Sequence, residues 1–145
     1  MRLRNIKGAD EKIETSQYVV QNPKEMKDKW SECFGNDNPL HIEIGMGKGQ
    51  FLHTLAKENP DVNYVGIEMY SSVLLRAVQR MENEEVSNLK FVCIDAKEVA
   101  EVFGEGDVDK IYLNFSDPWP KDRHAKRRLP SRQFLAKYDV ILKKD

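Results

Sequence analysis

The sequence predicts an α/β fold, a sheet of parallel strands with helices on both faces. Three observations carry it. Apolar residues alternate with polar ones through Leu40-His41-Ile42-Glu43-Ile44, the period of a strand. Gly45, Gly47 and Gly49 follow at alternate positions, and Gln50-Phe51-Leu52 then opens a helical pattern. A strand that feeds a glycine-rich turn and then a helix is the first unit of a nucleotide-binding α/β domain. Finally, strand-like and helix-like stretches keep alternating to the end of the chain, the pattern of a parallel sheet with helical crossovers.

The elements follow in order. Residues 1–22 are polar, with Arg2, Arg4 and Lys7 near the start. They read as an arm, irregular or partly helical, that is either solvated or in contact with a polyanion. Asn22-Pro23 offers an N-cap and a proline at the first helical position. A helix is expected from Lys24 to Phe34, closed by Gly35, with Met26, Trp30 and Cys33 on one face. After strand 40–44, a helix over 48–58 turns Phe51, Leu52 and Leu55 inward and stops at Asn59-Pro60-Asp61. Residues 63–68 form a second strand. Ser71 or Ser72 caps a helix to about Met81 that faces the sheet with Val73, Leu74, Ala77 and Met81. Leu89 to Ile94 is nearly continuous in apolar residues, as buried parallel strands are. Ala96 to Phe103 is a short helix stopped by Gly104, Val108 to Phe115 a fourth strand, and Ser131 caps a last helix from Arg132 to about Leu142.

Composition bounds the possibilities. A chain of 145 residues suits one domain. The division read here is an N-terminal basic arm and short helix over 1–36, then the α/β domain over 37–145. Forty per cent hydrophobic and 32% charged residues describe a soluble, folded chain. With a net charge of −1 the chain as a whole is no polycation, so nucleic-acid affinity has to come from a local patch. Cys33 and Cys93 have no metal-ligand spacing, and no metal is expected. The cysteine usage and the lack of a signal peptide or membrane-spanning stretch read as a cytoplasmic protein with no membrane partner.

The ligand is argued from charge and spacing. Glu43 stands two residues before Gly45, Glu68 ends the second strand, and Asp95 follows the third. The fourth runs into Asn114-Phe115-Ser116-Asp117. Ligands of open α/β sheets bind beyond the carboxyl ends of the strands. A pyrophosphate prefers helix N-terminal amides without a carboxylate nearby. A row of acids suits a cation instead, and S-adenosylmethionine offers a sulfonium, an ammonium and ribose hydroxyls. The glycine spacing agrees: G-x-G-x-x-G would need glycine at Gln50, and a Walker loop would need Ser or Thr after Lys48. A glycine-rich turn with no ligand stays open on spacing alone.

Residues 121–132 hold six Lys or Arg in twelve positions. The run is either a solvated loop or a cationic lip that attracts a polyanion to the ligand face.

Here the residues resemble a known family. H-I-E-I-G-M-G-K-G, Y-V-G-I-E, F-V-C-I-D-A and above all N-F-S-D-P-W-P-K-D-R-H-A-K-R-R are similar to the bacterial tRNA (guanine-N7)-methyltransferases, over essentially the whole chain. The resemblance implies a Rossmann-like class I methyltransferase fold. It implies S-adenosylmethionine as donor, S-adenosylhomocysteine as product, and tRNA as partner, methylated on N7 of the variable-loop guanosine at position 46. It implies donor contacts from Glu43, Gly45, Gly47, Gly49, Glu68, Asp95, Ala96, Asn114 and Asp117. Asp117 is the implied catalytic residue, and Lys121, Arg123, His124, Lys126, Arg127 and Arg128 lie against RNA. Trp119 either stacks on the guanine or packs in its loop. The same resemblance implies a seven-stranded sheet, of which four strands are counted here, so the chain reads as truncated after the fourth strand and its following helix. An open edge at Ile111, Leu113 and Phe115 invites association into a homo-oligomer. The chain alone is then expected to bind donor weakly and turn over little. A methyltransferase with another acceptor and a non-catalytic RNA-binding module on the same core are the competing readings.

Overall fold

A computed structural model describes residues 8–113 and 132–143, with backbone alone over 132–135. The described chain runs α1 (Ala9–Thr15), a 3-10 turn (Pro23–Met26), α2 (Trp30–Phe34), β1 (Leu40–Ile44), α3 (Gln50–Glu58), β2 (Asn63–Ile67), α4 (Ser71–Asn83), β3 (Leu89–Val92), a 3-10 turn (Ala96–Glu98), α5 (Val99–Val102), β4 (Lys110–Leu113) and α6 (Arg132–Ile141).

The four strands form one parallel sheet in the order β3-β2-β1-β4. The chain steps from β1 outward to β2 and β3, then returns to lay β4 on the other side of β1. The strand order reverses at β1, where a doubly wound sheet opens its ligand crevice. Strand alternation divides the core. Leu40, Ile42, Ile44, Val65, Ile67 and Val92 pack with Trp30, Val99, Val102, Phe103, Tyr138 and Ile141. Tyr64, Leu89 and Phe91 pack with Met46, Leu52, Ala56, Leu74, Ala77, Val78 and Met81, and with Ala9 and Ile13 of α1. Helices therefore cover both faces, as the α/β reading requires.

Several expectations are corrected. The arm is partly helical as expected, but from Gly8 onward it is packed on the domain and not merely solvated: α1 buries Ala9 and Ile13, and Val19 bridges Phe91 in parallel, covering the free edge of β3. Its backbone accounts for two bonds there, Val20 N–H to Phe91 O at 2.8 Å and Phe91 N–H to Tyr18 O at 2.9 Å. The single helix over 24–34 is two pieces. Asp28 takes φ +66° between them, and its N–H donates to Asp107 Oδ2 at 2.9 Å. A partner 79 residues away thus outweighs local helix propensity. Neither the Asn22 nor the Ser71 side chain makes a capping bond, and Ser71 Oγ donates to Asp10 Oδ1 instead. Phe51 is 49% exposed and meets Tyr112 edge to face, while His53 takes the inward position. The third strand stops at Val92, leaving Cys93 half-buried, and the helix after it begins as a 3-10 turn. The fourth strand begins at Lys110, because Val108 bridges Leu142 in the connection to α6. Trp30 is a packing residue: its Nε1–H donates to Val102 O at 3.0 Å and its ring stacks on Phe103.

Candidate functional site

The site is built where β1 meets the glycine turn. β1 pairs with β2 as far as Ile44 opposite Ile67. Beyond that register the chain of β1 rises into Gly45 and Met46, whose N–H groups both donate to Ile67 O, at 2.9 and 3.1 Å. Gly45, Gly47 and Gly49 take φ of +75°, +62° and +76°, a region that side chains with a Cβ avoid. At Gly49 there is a second reason: a Cβ would stand 2.8 Å from that of Ala77, so the turn closes directly onto α4. Above Gly47 a Cβ would meet no atom within 4 Å. The turn is tight against the protein on one side and open on the other.

Glu68 leaves the end of β2 and holds this turn. Its Oε1 accepts the Gly47 N–H at 3.0 Å and its Oε2 the Tyr70 N–H at 3.2 Å. Burial raises its carboxyl, and the N–H groups of Tyr70, Gly47 and Met69 pull it back toward ionisation. Glu43, one residue before the end of β1, is 4% exposed, and its Oε1 is buried without a hydrogen-bond partner among the described residues. Burial, with the charge of Glu68 adding to it, pushes the Glu43 carboxyl up to about 7. Asp95 follows β3 half-buried, and its Oδ1 accepts the Lys97 N–H at 2.9 Å, so part of this carboxylate caps a turn.

The structure therefore brings Glu43, Gly45, Gly47, Gly49 and Glu68 into one constellation at the carboxyl ends of β1 and β2. It sets Asp95 and Ala96 beyond the neighbouring β3. Asn114, Asp117, Trp119, Lys121, Arg123, His124, Lys126, Arg127 and Arg128 lie outside the described residues. Sequence spacing did not reveal the contact of Gly49 with α4. Nor did it reveal Met46, whose Sδ would stand 2.1 Å from a Cβ on Gly66 and which therefore demands glycine in mid-strand. The in-strand Gly66 was the one signal, since such a glycine marks close approach of another group.

An unpartnered, buried carboxylate oxygen beside a second carboxylate, under an open glycine turn, fits a ligand that carries positive charge and hydroxyls. Two acids here repel a phosphate, and the described residues give the turn no cation-rich cradle of the P-loop kind. Among the described residues no helix is long and apolar enough to cross a membrane.

Residues 37–145 match a family model described as "Putative methyltransferase". Over 145 residues the chain is 60% identical to a tRNA (guanine-N(7)-)-methyltransferase of Lachnoclostridium phytofermentans, covering 100% of this chain and 68% of that protein. It is 53% identical to the one of Geobacillus sp. (strain WCH70), covering 98% of this chain and 65% of that protein. The chain thus spans about two thirds of the length of these curated relatives. Among solved structures, an antibiotic-related methyltransferase superposes with a TM-score of 0.63 at 25% identity, over 81% of this chain and 59% of that one.

Proposed function

Since the chain belongs to the tRNA (guanine-N7)-methyltransferase family, we propose that it binds S-adenosylmethionine at the β1–β2 rim and serves methyl transfer to N7 of guanine in tRNA, at the variable-loop position. The single observation that carries the donor half is Glu43, a buried carboxylate with an unpartnered oxygen facing the same rim as Glu68.

When bound, S-adenosylmethionine supplies a methyl group on a positively charged sulfur. Glu43 and Glu68 provide the negative field that favours such a cation, strengthened by burial. Glu68 accepts hydroxyl or amine donors with lone pairs its two backbone bonds leave free. Gly47 leaves the turn open to close approach, and Asp95 and Ala96 flank the neighbouring strand end. Guanine N7 has an in-plane lone pair and no proton, so the protein supplies no general base for it. Its work is alignment, which accounts for much of the barrier in reactions of this type, and stabilisation of positive charge as it moves onto the base. Asp117, by its place in the N-F-S-D-P-W motif, is the carboxylate assigned to that second task. Lys121 and Arg123 to Arg128 are assigned to phosphates, which position RNA without reading its sequence. The basic run and the acidic rim divide the substrates between them, polyanion and cation.

Titration with S-adenosylhomocysteine tests the donor half, and labelled S-adenosylmethionine with unmodified tRNA tests the acceptor half. The reading expects weak heat at one-to-one stoichiometry and a slow incorporation of label, confined to guanine N7. No heat would overturn the donor assignment and leave an RNA-binding module on a methyltransferase core. Label on another base atom, on DNA or on protein would overturn the acceptor assignment.

A further inference from the structure

The outer groove between α3 and α4 is basic, and none of its cations is used by the site described above. Two ties fix its course. At the rim, Gly49 abuts Ala77 of α4. At the far end, His53 Nε2 lies 2.7 Å from Glu84 O and Lys57 Nζ lies 2.7 Å from Glu84 Oε2. Leu75, Val78 and Glu82 line the opposite flank of α4, facing the segment that follows α1. With 3.6 residues per turn, Arg76 and Arg80 then fall one turn apart on the flank shared with Ala77 and Glu84, outward from the core. Arg76 is exposed; Arg80 is half-buried, its Nε shielded from solvent and unpartnered among the described residues. Lys48, exposed in the glycine turn, continues the line at the rim. Among the described residues no acid pairs with Lys48, Arg76 or Arg80, and Glu84 is occupied by Lys57.

Two guanidinium groups a turn apart, without an internal acid and in line with a lysine at the ligand mouth, suit a run of phosphates. Arg presents a planar fork that matches phosphate geometry. We propose that the α3–α4 groove binds the phosphate backbone of the tRNA, in addition to the basic segment 121–132. The inference rests on the reading of the chain as a tRNA enzyme and extends the RNA footprint along a second face.

The test measures tRNA binding by the whole chain across a series of salt concentrations. Arg76→Ala/Arg80→Ala is expected to weaken binding about tenfold and to lower the slope of log affinity against log salt by about 2. Its S-adenosylhomocysteine affinity stays at the wild-type value. The control Lys27→Ala/Lys29→Ala removes the same charge from exposed positions beside α2, on the other face of the sheet, and changes the slope little. Arg76→Ala alone, at an exposed position, lowers the slope by about 1 and covers the case in which loss of Arg80 disturbs α4. Wild-type affinity and slope in both arginine variants would overturn the proposal. So would an equal loss in the lysine control, which would mark a general charge effect. Unchanged tRNA binding with lost binding to phosphatidylserine vesicles would overturn it too and assign the groove to a lipid surface. A wild-type chain that binds donor but not tRNA would instead overturn the acceptor reading on which the proposal depends.

Discussion

Glu43 and Glu68 stand at the ends of neighbouring strands, and the protein treats the two carboxylates differently. Glu68 is committed to the fold: each of its oxygens accepts a backbone N–H, and through Gly47 it holds the turn in place. Glu43 is left with a buried oxygen that nothing among the described residues satisfies, and its carboxyl is pushed up to about 7. An unsatisfied buried acceptor costs about 1–3 kcal/mol. The lesson is a division of work within one acidic rim. One acid builds the receptor, and the other is held in an uncomfortable state that a cation relieves.

The largest effect is expected from Glu68→Ala. It removes the clamp on Gly47 and Tyr70 together with a donor contact, so S-adenosylhomocysteine affinity falls roughly 100-fold and stability by about 2 kcal/mol. Calorimetry and a urea titration read the two. A variant that lost donor affinity with unchanged stability would break the assignment of Glu68 to the fold.

Next comes Glu43→Gln, whose two effects have opposite signs. At pH 8 the ionised wild-type carboxylate attracts S-adenosylmethionine, so the variant binds it about tenfold more weakly. Its stability rises instead. A carboxyl raised from 4.5 to about 7 on folding contributes stability that is full below pH 4.5 and is lost as pH climbs through 7. Glutamine removes that loss, which amounts to up to about 3 kcal/mol above pH 7. Denaturant midpoints at pH 5 and pH 8 check this, and a variant destabilised at both would contradict the burial argument.

A third experiment separates charge from shape. Between pH 8 and pH 6 the ionised fraction of Glu43 falls about tenfold. The ratio of S-adenosylmethionine to S-adenosylhomocysteine affinity should fall with it in the wild type and stay flat in Glu43→Gln. The smallest effect belongs to the turn both acids face. Gly47→Ala meets no atom but strains φ +62°, and costs about 1 kcal/mol. Gly49→Ala adds a 2.8 Å contact with Ala77 and should cost more, so melting curves that rank the two the other way would contradict the packing of the turn on α4.

The comparison also shows what a linear sequence displays. The strands were legible because apolar residues from Leu40 to Ile44 and from Leu89 to Val92 carry their period locally. The acids were legible as a set because each stands at or just past the end of a strand, and parallel strands end on one side of the sheet. How each acid is used was not. Whether a carboxylate meets backbone N–H groups or nothing depends on the turn geometry of another segment. Distance in sequence hid the rest. Asp28 breaks a helix for the sake of Asp107, and Val19 covers the edge of β3 by pairing with Phe91. Phe51 lies half-exposed on the flank of α3 that meets Tyr112 of β4, while Leu52, His53 and Ala56 take the inward positions. The segment from Asn114 to Arg128, where the sequence motif is richest, lies outside the described residues and is argued from the family resemblance and charge.

The central claim is that the β1–β2 rim holds the methyl donor through its two carboxylates. A crystal structure of the chain soaked with S-adenosylhomocysteine tests it most directly. The account predicts the ligand over Gly47, with Glu68 within hydrogen-bonding distance of its hydroxyls and Glu43 on the side of its amino-acid end. A ligand seated away from the glycine turn, or bound with neither carboxylate in contact, would contradict it.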